Sequence, residues 1–297
     1  MNVTPVPTAE FALFSLGGPG PVAGQVGPRP FDPVAYSRYK YGSIAAADAF
    51  ARTLGEAFGD HCPAVVSTPR LLMTSSPYTY VPTAATTLAR RLQPVLNTVR
   101  ARRGLPPVPL VQVDRVSPGA GDYGKLSAPD RDRRMAARTL SFRRFRADQL
   151  RDAHLLFIDD VRVTGAHQRS LTRASENLPL AARTFLYIAS FRSLAAGCFD
   201  PTQEDALNHA AVRTLDDLTG IVAADDFAWN VRVCKFVLSP ACRAGLSRFL
   251  GRMPDWFVRD LDRNARRDGY PRMACYAPSH AMVQAELDRR RTRAVPA

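Results

Sequence analysis

Lysine is nearly absent from this chain, which holds it only at Lys40, Lys125 and Lys235 among 40 basic residues. Arginine therefore carries the positive charge, and its planar fork suits bidentate phosphate contacts. Codon usage rich in G and C produces the same skew without any functional choice. Cysteine is scarce and scattered: Cys62, Cys198, Cys234, Cys242 and Cys275 include no C-x-x-C pair, and their number is odd. That pattern argues against a disulfide framework and a structural zinc cluster, so reduced thiols in a cytoplasmic protein are the expectation. No basic segment precedes a long apolar run at the N-terminus, and no secretory signal is expected. No apolar stretch is long enough to span a bilayer, so a membrane is not an expected partner. Common enzyme signatures are missing as well. There is no G-x-S-x-G and no defensible G-x-G-x-x-G, and Gly124-Lys125 is followed by leucine where a P-loop needs Ser or Thr.

What is present is a basic, foldable chain. Its 297 residues are 46% apolar, enough for one large domain or two modest ones. A formal net charge of +13 biases the partner toward an anion: nucleic acid, an acidic lipid surface or a polyphosphate. Residues 1–30 contain the run Gly17 to Pro21 and few charges, and read as a flexible arm. Ser43 is placed to cap a helix through Phe58, with Ile44, Ala47, Phe50, Leu54 and Phe58 on one face. Val65-Val66 and Leu71 to Met73 read as short strand pieces, Pro82-Thr83 as the start of a helix, and Val108 to Val113 as a strand. Asp114 to Pro129 is a long loop rich in Gly, Pro, Ser and Asp, and such loops are usually functional or disordered. His154 to Ile158 is a fully apolar strand. A helix follows over about Ala166 to Asn177, then a buried strand over Thr184 to Ser190. This alternation predicts an α/β fold with a central parallel sheet flanked by helices. Beyond Cys198 the pattern turns mostly helical, with one apolar run at Val231 to Leu238, and ends in a solvated, frayed tail at Arg289 to Arg291. The expected division is an arm over 1–30, a core over 31–195, and a helical cap with basic tail over 196–297.

One segment carries chemistry. A buried strand ends in Asp159-Asp160, three residues intervene, and Thr164-Gly165-Ala166 opens a helix. The strand delivers the acids to the carboxyl edge of a parallel sheet, where ligands bind in open α/β folds. Two adjacent carboxylates can accept hydrogen bonds from vicinal hydroxyls and help hold a divalent cation. The turn from Val163 to His167 presents backbone N–H groups and the positive end of a helix dipole to a phosphate. Together these describe a site for ribose 5-phosphate. A phosphatase of the D-x-D type is disfavoured, because neither aspartate has an acid two residues on.

The segment His154 to Gln168 resembles the phosphoribosyl pyrophosphate motif of type I phosphoribosyltransferases. Two positions depart from it: Val163 stands where many members have a second threonine, and His167 where many have a threonine that caps the phosphate loop. Segments at Tyr36 to Gly42, Ser75 to Ala84, Asp122 to Leu126, Glu204 to Asn208 and Asn230 to Lys235 resemble the subfamily encoded beside bacterial tellurite-resistance and stress genes. The resemblance implies a type I phosphoribosyltransferase-like fold and a set of roles. Asp159 and Asp160 would hold the ribose and Mg²⁺. Val163, Thr164, Gly165, Ala166 and His167 would hold the 5-phosphate. Ser75, Ser76 and Tyr78 would line the pyrophosphate side, helped by Arg38 or Lys40. Tyr123 and Lys125, as catalytic residues beside the acid pair, and Arg131 would lie on or beside a loop that closes over the substrate.

The implied reaction is transfer of a 5-phosphoribosyl group from phosphoribosyl pyrophosphate to a small-molecule, nucleobase-like acceptor, with release of pyrophosphate. A homo-oligomer is expected. Two rival readings stand beside it: a non-catalytic sensor of phosphoribosyl pyrophosphate that binds nucleic acid, which is not favoured, and a phosphoribosyl hydrolase. His61, His209 and His280 show no metal spacing and are expected to be structural or exposed.

Overall fold

The computed structural model describes residues 6–16, 30–115, 140–191, 201–224 and 226–294. A strand opens it, β1 (Thr8–Leu16), followed by α1 (Pro33–Lys40), α2 (Ile44–His61), the short α3 (Pro63–Val66), β2 (Leu71–Ser75) and α4 (Ala84–Ala101). A two-residue ladder, β3 (Asp114–Arg115) with β4 (Leu140–Ser141), precedes α5 (Ala147–Leu150), β5 (Ala153–Arg162), α6 (Ala166–Ala174) and β6 (Leu180–Phe191). The remaining described chain is helical: α7 (Pro201–Asn208), α8 (Leu215–Val222), α9 (Val231–Val237), α10 (Arg243–Arg252), α11 (Asp255–Arg267) and α12 (Ala277–Ala294). None of the described helices is long and apolar enough to cross a membrane.

The long strands form one parallel sheet in the order β1-β6-β5-β2. Its central strand β5 explains why the sequence there is a continuous apolar run. Leu156 and Ile158 pack on one face with Phe50, Leu54, Leu88 and Leu92 of α2 and α4. Leu155 and Phe157 pack on the other with Leu171 and Phe185. Both faces are covered, so no polar alternation survives. The predicted cap at Ser43 is made, its Oγ accepting from the Ala46 N–H at 3.3 Å, and Thr83, at the expected start of the next helix, caps it by accepting from the Thr86 N–H at 3.2 Å.

Four expectations are corrected. Residues 8–16, assigned to a flexible arm, form an edge strand paired in parallel with β6 from Thr8–Arg183 to Leu16–Phe191. The alternating apolar residues Phe11, Leu13 and neighbouring Phe14 are buried, which overrides the Gly/Pro-rich composition that follows. Val65-Val66 belongs to α3, because Pro63 at its first position favours a helical start. The segment Val108 to Val113 pairs with β2 only through a bridge at Met73–Leu110, since Pro106, Pro107 and Pro109 lack the N–H groups a ladder needs. Finally, the tail is not all frayed. Arg290 lies with its side chain 17% exposed and pairs with Glu286 and Asp255.

Arg100 on α4 is a buried cation satisfied by backbone alone. It donates to the carbonyls of Val66 (2.5 Å), Pro106 (2.8 Å), Thr68 (2.9 Å) and Pro69 (3.4 Å). It clasps the turn between α3 and β2 to the turn after α4. Arg100→Met should therefore destabilise the fold by on the order of 3 kcal/mol, because several carbonyls lose a charged donor at once. Thermal unfolding should register a fall of roughly 6–12 °C, and an unchanged midpoint would show the clasp to be dispensable.

The helical half builds its own apolar cluster from Leu218, Val233, Phe249, Phe257, Leu261 and their neighbours, and Tyr41 and Val81 from the N-terminal half join it. Three contacts fasten the halves beside α1. Asn230 Nδ2 donates to the Lys40 carbonyl at 3.2 Å, the Val231 N–H to Pro82 O at 2.9 Å, and the Ala228 N–H to Gly42 O at 2.8 Å. Gly42 must be glycine here. Its φ is +98°, and a Cβ would stand 2.5 Å from the Ala228 carbonyl oxygen.

Candidate functional site

The carboxyl ends of β5 and β6, the turn into α6 and the inner face of the helical half enclose a cavity of about 1020 Å³. Register brings its acidic floor together. Ser75 pairs with Ile158 and Asp159 with Tyr187, so Ser76, Asp159 and Tyr187 emerge side by side at the sheet edge.

The two acids have different partners. Asp159 accepts from Ser76 Oγ at 2.7 Å and lies 2.8 Å from His167 Nδ1. Asp160 is ion-paired to Lys40, whose ammonium also lies 5.7 Å from the Tyr36 ring centroid. Strand alternation is the cause: consecutive side chains point to opposite faces, one toward α6 and the other toward α1. Burial alone would raise the Asp159 pKa, but His167, Ser76 and Lys40 outweigh it and hold the carboxyl below its usual range. Burial, with Asp159 adding to it, pushes the Tyr187 phenol well above its ordinary value. Tyr187 is thus a neutral hydroxyl, 3.4 Å from Gln168 Oε1.

Gly165 takes φ +72° and ψ +4°, the left-handed conformation, immediately before α6. Gly165 has no side chain to cap that helix start, and Thr164 Oγ1 takes the Ala166 N–H at 3.4 Å, so the helix dipole and the N–H groups after Ala166 face the cavity that Thr164 to Gln168 line. Arg169 Nη1 donates to the Thr164 carbonyl at 2.9 Å and braces the turn from behind.

Several expected site residues converge here: Lys40, Ser76, Asp159, Asp160 and the run Val163 to His167 all line the cavity. His167 is 21% exposed and turns back onto Asp159, so its ring meets the acid as well as the cavity. Three expected residues do not line it. Ser75 is buried against Thr86, with 3.0 Å between their hydroxyls. Tyr78 is buried and bridges to Asp114. Arg38 is exposed on α1. Tyr123, Lys125 and Arg131 fall outside the described residues.

Other cavity residues were not anticipated: Tyr187, Arg115, and from the helical half Arg213, Arg232, Lys235 and Arg248. A signal for two of them existed. Arg232, Lys235 and Phe236 stand at i, i+3 and i+4, one face of a helix. Reading Val231 to Leu238 as an apolar run hid that face. His209 also lines the cavity, with Nδ1 3.1 Å from the Tyr41 hydroxyl.

No curated protein matches the chain. A family profile described as PRTase ComF-like matches residues 23–283, which takes in strands β2, β5 and β6 of the sheet, the acid pair, the turn at Gly165 and most of the helical half. The parallel sheet with flanking helices agrees with a type I phosphoribosyltransferase-like α/β fold, and the chain belongs to the PRTase ComF-like family, a phosphoribosyltransferase-type family.

Proposed function

We propose that this chain is a phosphoribosyltransferase that takes phosphoribosyl pyrophosphate with Mg²⁺ and transfers the 5-phosphoribosyl group to a nucleobase-like acceptor. The observation that carries this reading is one cavity lined by an acid pair, a helix start entered through a left-handed glycine, and basic side chains. Asp159 and Asp160 accept hydrogen bonds from the ribose hydroxyls. The turn from Val163 to His167 takes the 5-phosphate, and Lys40 and Ser76 border the pyrophosphate. An acceptor nitrogen forms a bond to C1 of the sugar as the C1–O bond breaks. The bonding pair leaves with pyrophosphate, and the nitrogen's proton passes to water. Positive charge builds on the sugar as the bond breaks, and the two carboxylates offset it.

A Mg²⁺ ion typically takes one or two carboxylates plus substrate phosphate oxygens, and Asp159 with Asp160 fits that donor set. When bound it would neutralise charge on the departing pyrophosphate. Likeness to the tellurite- and stress-associated subfamily, with its nucleotide-like product, is part of the same proposal.

The deciding experiment measures pyrophosphate released from phosphoribosyl pyrophosphate and Mg²⁺ across a panel of nucleobase-like acceptors. Acceptor-dependent release is expected. Release without any acceptor would make the chain a hydrolase. Tight binding with no release across the panel would make it a sensor.

A further inference from the structure

We infer that the acceptor is a flat, partly apolar molecule bearing an anionic group, a carboxylate or phosphate, held by the helical half of the cavity. This rests on the function proposed above and names the class of its second substrate. The sugar-phosphate side of the cavity is accounted for by the acid pair, Lys40 and the turn at Gly165. The facing wall has a different composition. Helix α9 turns Arg232, Lys235 and Phe236 into the cavity on one face. Arg213 joins them from the segment before α8, and Arg248 from α10.

The acids on this wall do not balance those cations. Asp216 is engaged by Arg248 at 3.5 Å and by Arg252. Among the described residues, Glu204 is the other carboxylate that the helical half brings to the cavity. Counted over the described residues, Arg213, Arg232, Lys235 and Arg248 outnumber Glu204 and Asp216, so this part of the wall is net positive. Closing a ligand against such a wall removes water from the cations, which is costly unless an anion replaces it. A neutral base offers no such replacement, whereas a carboxylate or phosphate does, with charge-assisted hydrogen bonds.

The same wall supplies the flat surface. Phe236 packs against Tyr41 at 5.0 Å between centroids and against His209 at 6.2 Å. This aromatic group backs the cavity beside Val231 and Leu215, so an aromatic or heterocyclic frame finds apolar contact on one side and cations at its edge. The cavity of about 1020 Å³ has room for such a molecule beside the sugar.

Matched pairs test the inference: nicotinate against nicotinamide, and orotate against uracil. Each is titrated by calorimetry into the full chain with ribose 5-phosphate present. The carboxylated member of at least one pair should bind about tenfold tighter than its neutral partner, a factor set by one good charge-assisted contact. The double substitution Arg232→Gln with Lys235→Gln should bring that preference close to unity. Its melting temperature and its affinity for phosphoribosyl pyrophosphate should stay near wild type. Equal binding within every pair, or binding by no member, overturns the inference. So does a parallel loss of phosphoribosyl pyrophosphate affinity in the double variant, which would assign these cations to pyrophosphate. A wild-type chain that binds phosphoribosyl pyrophosphate yet shows no anion preference sinks this inference alone. Failure to bind phosphoribosyl pyrophosphate at all sinks the function as well.

Discussion

Gly165→Val should lower the affinity for phosphoribosyl pyrophosphate by roughly a hundredfold or more. The reason lies mainly in the backbone. At φ +72° an L-residue costs roughly 1–2 kcal/mol, and a β-branched one is worse placed still. A Cβ there would meet Arg169 Nη1 at 3.2 Å and Arg162 side-chain nitrogens at 3.5 Å. Those are ends of flexible side chains and can give way, so crowding inside the protein is the lesser term. The valine methyl groups would also stand where a phosphate must approach the first-turn N–H groups of α6. Losing about 3 kcal/mol of combined turn geometry and phosphate contact corresponds to that hundredfold change. Gly165→Asn is the companion variant, because asparagine tolerates the left-handed region. It should keep markedly more affinity than valine. Calorimetric titration of both folded variants decides the matter, and wild-type affinity in Gly165→Val would remove the turn from the site.

Asp159→Asn and Asp160→Asn should each lower kcat/KM by roughly 10- to 150-fold. Each loses a charge-assisted hydrogen bond worth roughly 1.5–3 kcal/mol, at about tenfold per 1.36 kcal/mol. The geometry sharpens this expectation. A carboxylate offers about four lone-pair positions. Asp159 already commits three, to Ser76 Oγ, the Asp160 N–H and His167. Asp160 commits two, to the Val161 N–H and Lys40. Room for ribose hydroxyls remains on both, and more on Asp160. The larger loss is therefore expected at Asp160, where the amide also removes the partner of Lys40. If the acids merely brace the strand end, the same variants should melt lower and keep activity within about threefold of wild type on that rate scale. Measuring melting temperature and turnover on one preparation separates the outcomes.

The residues that could be read without coordinates are those whose role is local. Ser43 caps its helix, and Thr83 starts the next, because a hydroxyl before an apolar helical run has backbone N–H groups within its own reach. His154 to Ile158 announces a strand covered on both faces, and Thr164-Gly165 after it announces a turn that needs a glycine. Composition misled where a few side chains outweighed it. Residues 8–16 looked like part of an arm, yet Phe11, Leu13 and Phe14 find a core to enter. Val108 to Val113 looked like a strand, yet its flanking prolines leave it one bridge.

The sequence alone therefore determined the α/β class, the central strand, the position of the acid pair and the glycine turn after it, because strand period, cap chemistry and the left-handed preference of glycine act over a few residues. Only the tertiary structure decided which side chains share the cavity. Parallel register set Ser76 and Tyr187 beside Asp159, and strand alternation sent Asp159 to His167 and Asp160 to Lys40. The docking of the helical half, with Asn230 before α9 bonded to the Lys40 carbonyl at the end of α1, brought Arg232 and Lys235 to the same cavity as a motif about seventy residues earlier. Contacts at that separation depend on how elements dock against one another, and docking is fixed by the summed burial of two apolar clusters rather than by any neighbouring residue.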